Sequence, residues 1–137
     1  MKKYALDVII AYIVFFALWS GYGMVFMDKF EPMMAVMHPM GHMNQNVVIV
    51  LHLIQTLAML WIWHNGVGSN DVKKGVMFGV VYGILIGATD MIWFYGLIEL
   101  PQDPKTVQFV GHVVISAVVG AVLAKLYQSP DKAIDDL

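Results

Sequence analysis

Four apolar runs constrain this chain more than any other feature. They cover residues 5–27, 46–64, 75–99 and 106–127. About 20 apolar residues in a helix cross roughly 30 Å of hydrocarbon, so each run is of spanning or near-spanning length. Inside hydrocarbon the backbone must satisfy its own hydrogen bonds, which selects helices. The runs therefore predict an all-α fold: a four-span transmembrane up-down helical bundle in one integral membrane domain, residues 1–137. Composition agrees, with 59% hydrophobic and 13% charged residues, against roughly 45–50% and about 25% in soluble domains. Lys2 and Lys3 precede the first run, as in a signal peptide. The run is long for one and lacks a clean small-x-small cleavage site, so it reads as a retained span.

Between the runs lie a loop at 28–45, a polar turn at 65–74 and the tight, two-proline segment LPQDPK at 100–105. A short interfacial helix is expected around 32–37. Asn46 is placed to cap the second span, Trp61 and Trp63 to anchor its end at an interface, and His64 at the surface there. Lys2, Lys3, Lys73, Lys74, Lys125 and Lys132 fall on one side, Lys29 and Lys105 on the other. That asymmetry places both termini in the cytoplasm and makes this a multi-pass protein of the cell inner (plasma) membrane. The tail after 127 is polar and expected to fray.

The third run carries glycine at every fourth position: Gly75, Gly79, Gly83 and Gly87, with Asp90 three residues on. Small residues at this spacing let helix backbones approach closely. The fourth run offers a matching face of His112, Ser116, Gly120 and Ala124, and packing the two brings Asp90 toward His112 and Ser116. The same stripe is also a candidate contact with a second copy or a larger membrane complex. A carboxylate within hydrocarbon costs about 2.5–3.5 kcal/mol on insertion scales, so Asp90 is expected to be paired or to function. The other spans place Ser20, Tyr22, His52, Gln55, Thr56 and Ser116 in the same outer half, and His52, Gln55 or Thr56, and Met59 share a helix face. This defines a candidate intramembrane polar site.

Seven of the eleven methionines fall between positions 24 and 43. Met34, Met37, Met40 and Met43 recur every third residue, with His38 and His42 between them. Thioether and imidazole suit copper(I), and imidazole also suits copper(II) or zinc. The same methionines also suit simple apolar packing at a bilayer surface. The chain has no cysteine, which removes disulfides and thiolate chemistry. It has no arginine and a net charge of −2, which gives no signal for nucleic acid.

The segment ALWSGYGMVF, with three further spans and a glycine-rich third helix, resembles small four-helix bacterial membrane families of unknown function. In these a Trp-x-x-Tyr segment closes the first span; here that is Trp19 and Tyr22. The resemblance implies a fold and no activity. The methionine series and glycine stripe are also similar to copper permeases, which differ in having three spans and methionines within the membrane.

Several functions follow as expectations. The leading one is binding or transport of a metal ion, copper favoured, or of a small polar solute, in an outward-facing polar pocket. Here the loop collects the ion and His52, Asp90 and His112 receive it. A proton or solute channel using Asp90 is a related form. A haem b protein would use His52 and His112 as axial ligands from diagonal helices. An accessory or structural subunit would use the glycine stripe to dock another protein. With no nucleophile motif, phosphate loop or soluble domain, an enzyme is not favoured.

Overall fold

A computed structural model describes residues 2–34, 45–96 and 99–127. They form five helices: α1 (Lys2–Val25), α2 (Met27–Met34), α3 (Gln45–Ile62), α4 (Val72–Gly96) and α5 (Gln102–Leu126). A π-helical turn, Trp63–Val67, extends α3. There is no strand among the described residues. Four helical segments are long and apolar enough to cross a membrane: Leu6–Val25, Asn46–Val67, Val72–Gly96 and Gln102–Leu126. They suggest a multi-pass membrane protein.

Local chemistry sets the ends of these helices. Asp71 Oδ1 accepts the Lys73 amide at 2.8 Å, and Ser69 Oγ accepts the Asp71 amide at 3.2 Å. This N-cap satisfies an amide that has no partner inside the helix, so α4 starts at Val72, a turn before the apolar run begins. At the end of the π turn, the Gly68 amide reaches the Trp63 carbonyl at 2.8 Å with φ +50°. That left-handed conformation favours glycine, and a Cβ would also stand 2.9 Å from the Tyr127 hydroxyl. Pro101 precedes α5 and Pro104 lies in its first turn, where a missing N–H costs no hydrogen bond. Asp103 at this end and Lys125 at the other both complement the helix dipole.

The most extensive packing joins α4 to α5. A Cβ on Gly75 would lie 2.8 Å from the Ala124 Cβ and against the Gly120 carbonyl. One on Gly79 would lie 2.7 Å from the Ala117 Cα and against the Ser116 carbonyl, and one on Gly83 would lie 2.7 Å from the Val113 Cα and against the His112 carbonyl. Backbone lies on backbone, and the two helices run antiparallel. Gly87 instead makes room for the Phe109 ring. Tyr82 donates to the Gln55 carbonyl at 3.2 Å and Trp63 stacks near Phe78 at 5.3 Å, so α3 and α4 also run antiparallel. α1 packs on α5 and α3, and α2 on α5. The central cluster includes Ala11, Phe15, Met59, Leu60, Trp63, Ile115, Val119 and Leu123.

Several sequence expectations change. Trp63 is not an interfacial anchor: it is 0% exposed and fills the core, while Trp61, two positions away, is 62% exposed. Residues two apart on a helix lie about 200° around its axis, so they face opposite ways, and only Trp61 faces out. Asn46 lies inside α3, which begins at Gln45, and so does not cap it. His64 is half-buried, with its ring 5.3 Å from that of Tyr127. The short helix after the first span starts earlier than expected, at Met27. Its sequence MDKFEPMM sets Phe30, Met33 and Met34 on one side by i, i+3, i+4 spacing and leaves charges on the other. α1 ends at Val25, two residues short of the end of its apolar run.

Candidate functional site

The site forms where α4 and α5 stop touching backbone to backbone. One turn beyond Gly87, α4 presents Asp90 toward α5. There His112 Nε2 lies 2.7 Å from Asp90 Oδ2, and the Gln108 amide donates to the same oxygen at 3.2 Å. Gln108 Nε2 also lies 3.2 Å from His112 Nε2. An ionised carboxylate only accepts, so in that state His112 donates from Nε2 and both nitrogens converge on one oxygen. His112 is 7% exposed, and its Nδ1 is buried with no hydrogen-bond partner among the described residues.

α1 closes over this group with its Trp-x-x-Tyr segment. The Trp19 ring meets the His112 ring edge to face at 4.7 Å. Tyr22 donates to the Val107 carbonyl at 2.8 Å. Gly111 permits both: a Cβ there would lie 2.7 Å from the Tyr22 ring and 3.2 Å from that of Trp19. The absence of one methyl group on α5 thus lets Trp19 reach the histidine and Tyr22 reach the Val107 carbonyl.

Beside His112 opens a cavity of about 670 Å³ between α1, α2, α3 and α5. Its lining holds the polar side chains of Ser20, His52, Gln55, Gln108 and His112 among the apolar ones of Phe16, Trp19, Met24, Met27, Phe30, Met33, Met34 and Val48. His52 Nδ1 lies 2.9 Å from the Val48 carbonyl. A carbonyl accepts, so Nδ1 carries the proton and Nε2 is the acceptor of the neutral ring. The ring sits near Phe15 and Phe16, at 5.8 and 6.1 Å. Thr56, on the same face, is buried and returns its hydroxyl to the His52 carbonyl at 2.8 Å. The Gln55 amide nitrogen is buried and lacks a hydrogen-bond partner among the described residues.

Asp90, His112 and Gln108 therefore come together, whereas His52, Gln55 and Ser20 share the cavity without bonding to Asp90. Ser116 is buried one turn from His112, in the seam against Gly79. Gln108 is the member that sequence reasoning passed over, although it precedes His112 by four residues on the same face. Among the described residues, no group of three or more His, Asp or Glu side chains is arranged to hold a metal ion. Met37, His38, Met40, His42 and Met43 lie outside the described residues, and Met34, the first of that series, lines the cavity.

α2 covers the cavity and is tied to the start of α5. Lys29 Nζ donates to Asp103 Oδ2 at 2.9 Å, an exposed pair. That hydrogen bond, then the charges of Asp103 and Asp28, hold the Lys29 ammonium above the usual lysine range.

Compared with known protein families, with curated proteins and with solved structures, the chain matches none.

Proposed function

We propose that this protein is a four-span inner-membrane protein that binds a small solute in the cavity between α1, α2, α3 and α5. The single observation that carries this reading is the cavity's construction: a chamber of about 670 Å³ lined mostly by apolar side chains, with Ser20, His52, Gln55, Gln108 and His112 among them. Ligand sites are concave, mostly apolar, of roughly 300–1,000 Å³, with a few convergent polar groups. The lysine asymmetry turns the α2 end outward, so the chamber lies in the outer half of the bilayer. Asp90, Gln108 and Trp19 hold the His112 ring in one orientation at its edge. In a transporter the same histidine, backed by a carboxylate, is suited to exchange a proton with the solute.

Gly23 provides the test. It lines the cavity, and a Cβ added there meets nothing within 4 Å. Gly23→Phe is expected to put a ring into the chamber from a position where the backbone tolerates a side chain. Small molecules that co-purify with the full chain in lipid nanodiscs, read by mass spectrometry, are expected to be lost from this variant. Identical content in both proteins rejects the reading.

A second reading, copper(I) handling, is supported by the thioethers of Met24, Met27, Met33 and Met34, which line the same cavity as His52 and His112. Its test is a competitive copper(I) titration of the full chain against a variant with these four methionines changed to leucine; equal affinity rejects it. Haem b between His52 and His112 is less well supported, because His112 Nε2 is already engaged by Asp90 at 2.7 Å. Association with a second copy or with other membrane subunits is a further role open to the outer helix faces.

A further inference from the structure

We propose that the groove where α4 ends and α5 begins binds the phosphodiester of a membrane glycerophospholipid, with Lys105 as its cation. This site is separate from the chamber beside His112 and does not depend on it.

Three features set Lys105 apart. It lies near the end of a spanning segment, where a lysine stem ordinarily carries its ammonium out to water; here the residue is only 8% exposed. It stands in the first turn of α5, the positive end of the helix dipole, where a cation is disfavoured and an anion favoured. A buried lysine is ordinarily paired, yet Lys105 makes no hydrogen bond or salt bridge among the described residues. The nearby carboxylate of Asp103 is taken by Lys29 at 2.9 Å.

What holds Lys105 is the face of Tyr95, whose ring centroid lies 4.0 Å from Nζ. That ring is itself fixed. Tyr95 donates to Gln102 Oε1 at 2.8 Å, and Gln102 Nε2 donates to Thr106 Oγ1 at 3.2 Å. A ring face meets one side of an ammonium, and the N–H donors on its other side still call for an acceptor. Lys105 lines a groove of about 250 Å³ that Gln102 and Thr106 share at one end and that Met91, Phe109 and Val110 make apolar. A charged donor beside an apolar trough fits a ligand with an anionic head and an apolar body.

Position identifies that ligand as a lipid. The groove lies at the adjoining ends of the spanning segments Val72–Gly96 and Gln102–Leu126. Trp93 and Tyr95, both more than half exposed, put aromatic rings at the level where headgroups meet hydrocarbon. Val110, Val114 and Val118 are exposed at four-residue spacing and carry the apolar trough along α5 toward the bilayer centre. A phosphodiester on Lys105 lays an acyl chain along that row. The lysine asymmetry puts this lipid in the outer leaflet.

The test titrates the delipidated full chain in detergent with dilauroylphosphatidylglycerol and reads lipid adducts by native mass spectrometry. A saturable adduct is expected that dilauroylglycerol, which lacks the phosphate, does not form and that inorganic phosphate does not displace. Lys105→Gln should weaken it about tenfold, the loss of one hydrogen bond to a charged group. Lys105→Arg should retain it, and Lys29→Gln, at the same membrane face, should leave it unchanged. An unchanged unfolding temperature verifies the fold of Lys105→Gln. Should that variant unfold, Val110→Trp crowds the groove from an exposed position with Lys105 intact, and is expected to abolish the adduct. If dilauroylglycerol binds as tightly, or Lys105→Gln binds like the parent, no phosphate is held at Lys105 and the proposal is overturned. If Lys29→Gln weakens binding as much as Lys105→Gln, or Val110→Trp leaves it unchanged, the groove is not the site. If inorganic phosphate displaces the lipid, the site takes a free anion and the lipid assignment falls.

Discussion

Glycine has opposite consequences on the two sides of this molecule. Along α4 and α5, Gly75, Gly79, Gly83 and Gly120 let backbone touch backbone, and a Cβ at any of them would strike a carbonyl. Along the end of α1, Gly21 and Gly23 have nothing within 4 Å of a built Cβ. The first arrangement removes side-chain volume so that two helices merge into a rigid pair. At Gly23 the second removes it beside Met24, Met27 and Phe30 and leaves a chamber, while Gly21 opens on a separate groove with Leu18 and Val114. A missing side chain becomes a seam when a second small-residue face meets it, and a cavity when the neighbours are long and cannot close in. Asp90, Gln108 and His112 mark where the first regime gives way to the second.

The sharpest way to break the comparison is to add one methyl group on each side. Gly79→Ala drives its Cβ onto the Ser116 carbonyl and the Ala117 Cα. Backbone cannot yield as a side chain can, so the loss is expected at or above the top of the overpacking range, about 3 kcal/mol. Gly21→Ala on the open side is expected to be neutral or to stabilise the helix by about 0.5–1 kcal/mol. Thermal unfolding in one detergent compares them; a similar melting temperature for both variants refutes the contrast.

At the boundary, His112→Leu leaves Asp90 with Gln108 as its sole side-chain partner among the described residues. It is expected to cost about 1–3 kcal/mol, and Gln108→Leu less, since its bond is 3.2 Å against 2.7 Å. If Gln108→Leu proves the costlier, His112 does not carry the pairing. Filling the chamber with Gly23→Phe should move stability by less than about 0.5 kcal/mol, as for a surface change. A large fall in melting temperature there means the α1 side is as tightly packed as the seam.

The smallest effect belongs to the tie between α2 and α5. Because the Lys29 pKa is raised, its contribution is complete below the ordinary lysine value of 10.5 and is lost only as pH rises through the higher folded-state value. Peroxide oxidation of Met33, buried under α2, should therefore run at constant occupancy of the docked state between about pH 6 and pH 9, where lysine stays charged. It should quicken slightly in Lys29→Ala or in high salt. A marked acceleration between those pH values, beyond that of an exposed methionine peptide, shows that another group holds α2.

The apolar runs made the four long helices legible, because length and hydrophobicity are local properties. Four-residue spacing also made the glycine stripe and the His112, Ser116, Gly120 and Ala124 face legible, since both follow from helical pitch. Helix ends were readable only in part: the Asp71 cap and Gly68 are standard chemistry, yet the apolar runs drew attention inward by a few residues. Trp61 and Trp63 show a clear limit. Both are tryptophans near a span end, and only the neighbours decide that Trp63 meets Phe78 in the core while Trp61 faces out. Gln108 was overlooked because a glutamine near a helix end is ordinary until a partner stands opposite.

The sequence by itself determined how many long helices form, where small residues permit contact and which polar groups must be accommodated, because each depends on spacing along one helix. Spacing already pointed Asp90 toward His112; the tertiary structure alone decided that Gln108 joins that pair, that Ser116 sits in the seam instead, and that His52 and Gln55 share a cavity with His112 without touching Asp90. It also decided that a chamber exists at all. Those outcomes depend on the relative rotation and separation of different helices, set where glycine lets α4 and α5 close and where the long side chains of α1 and α2 hold their neighbours apart.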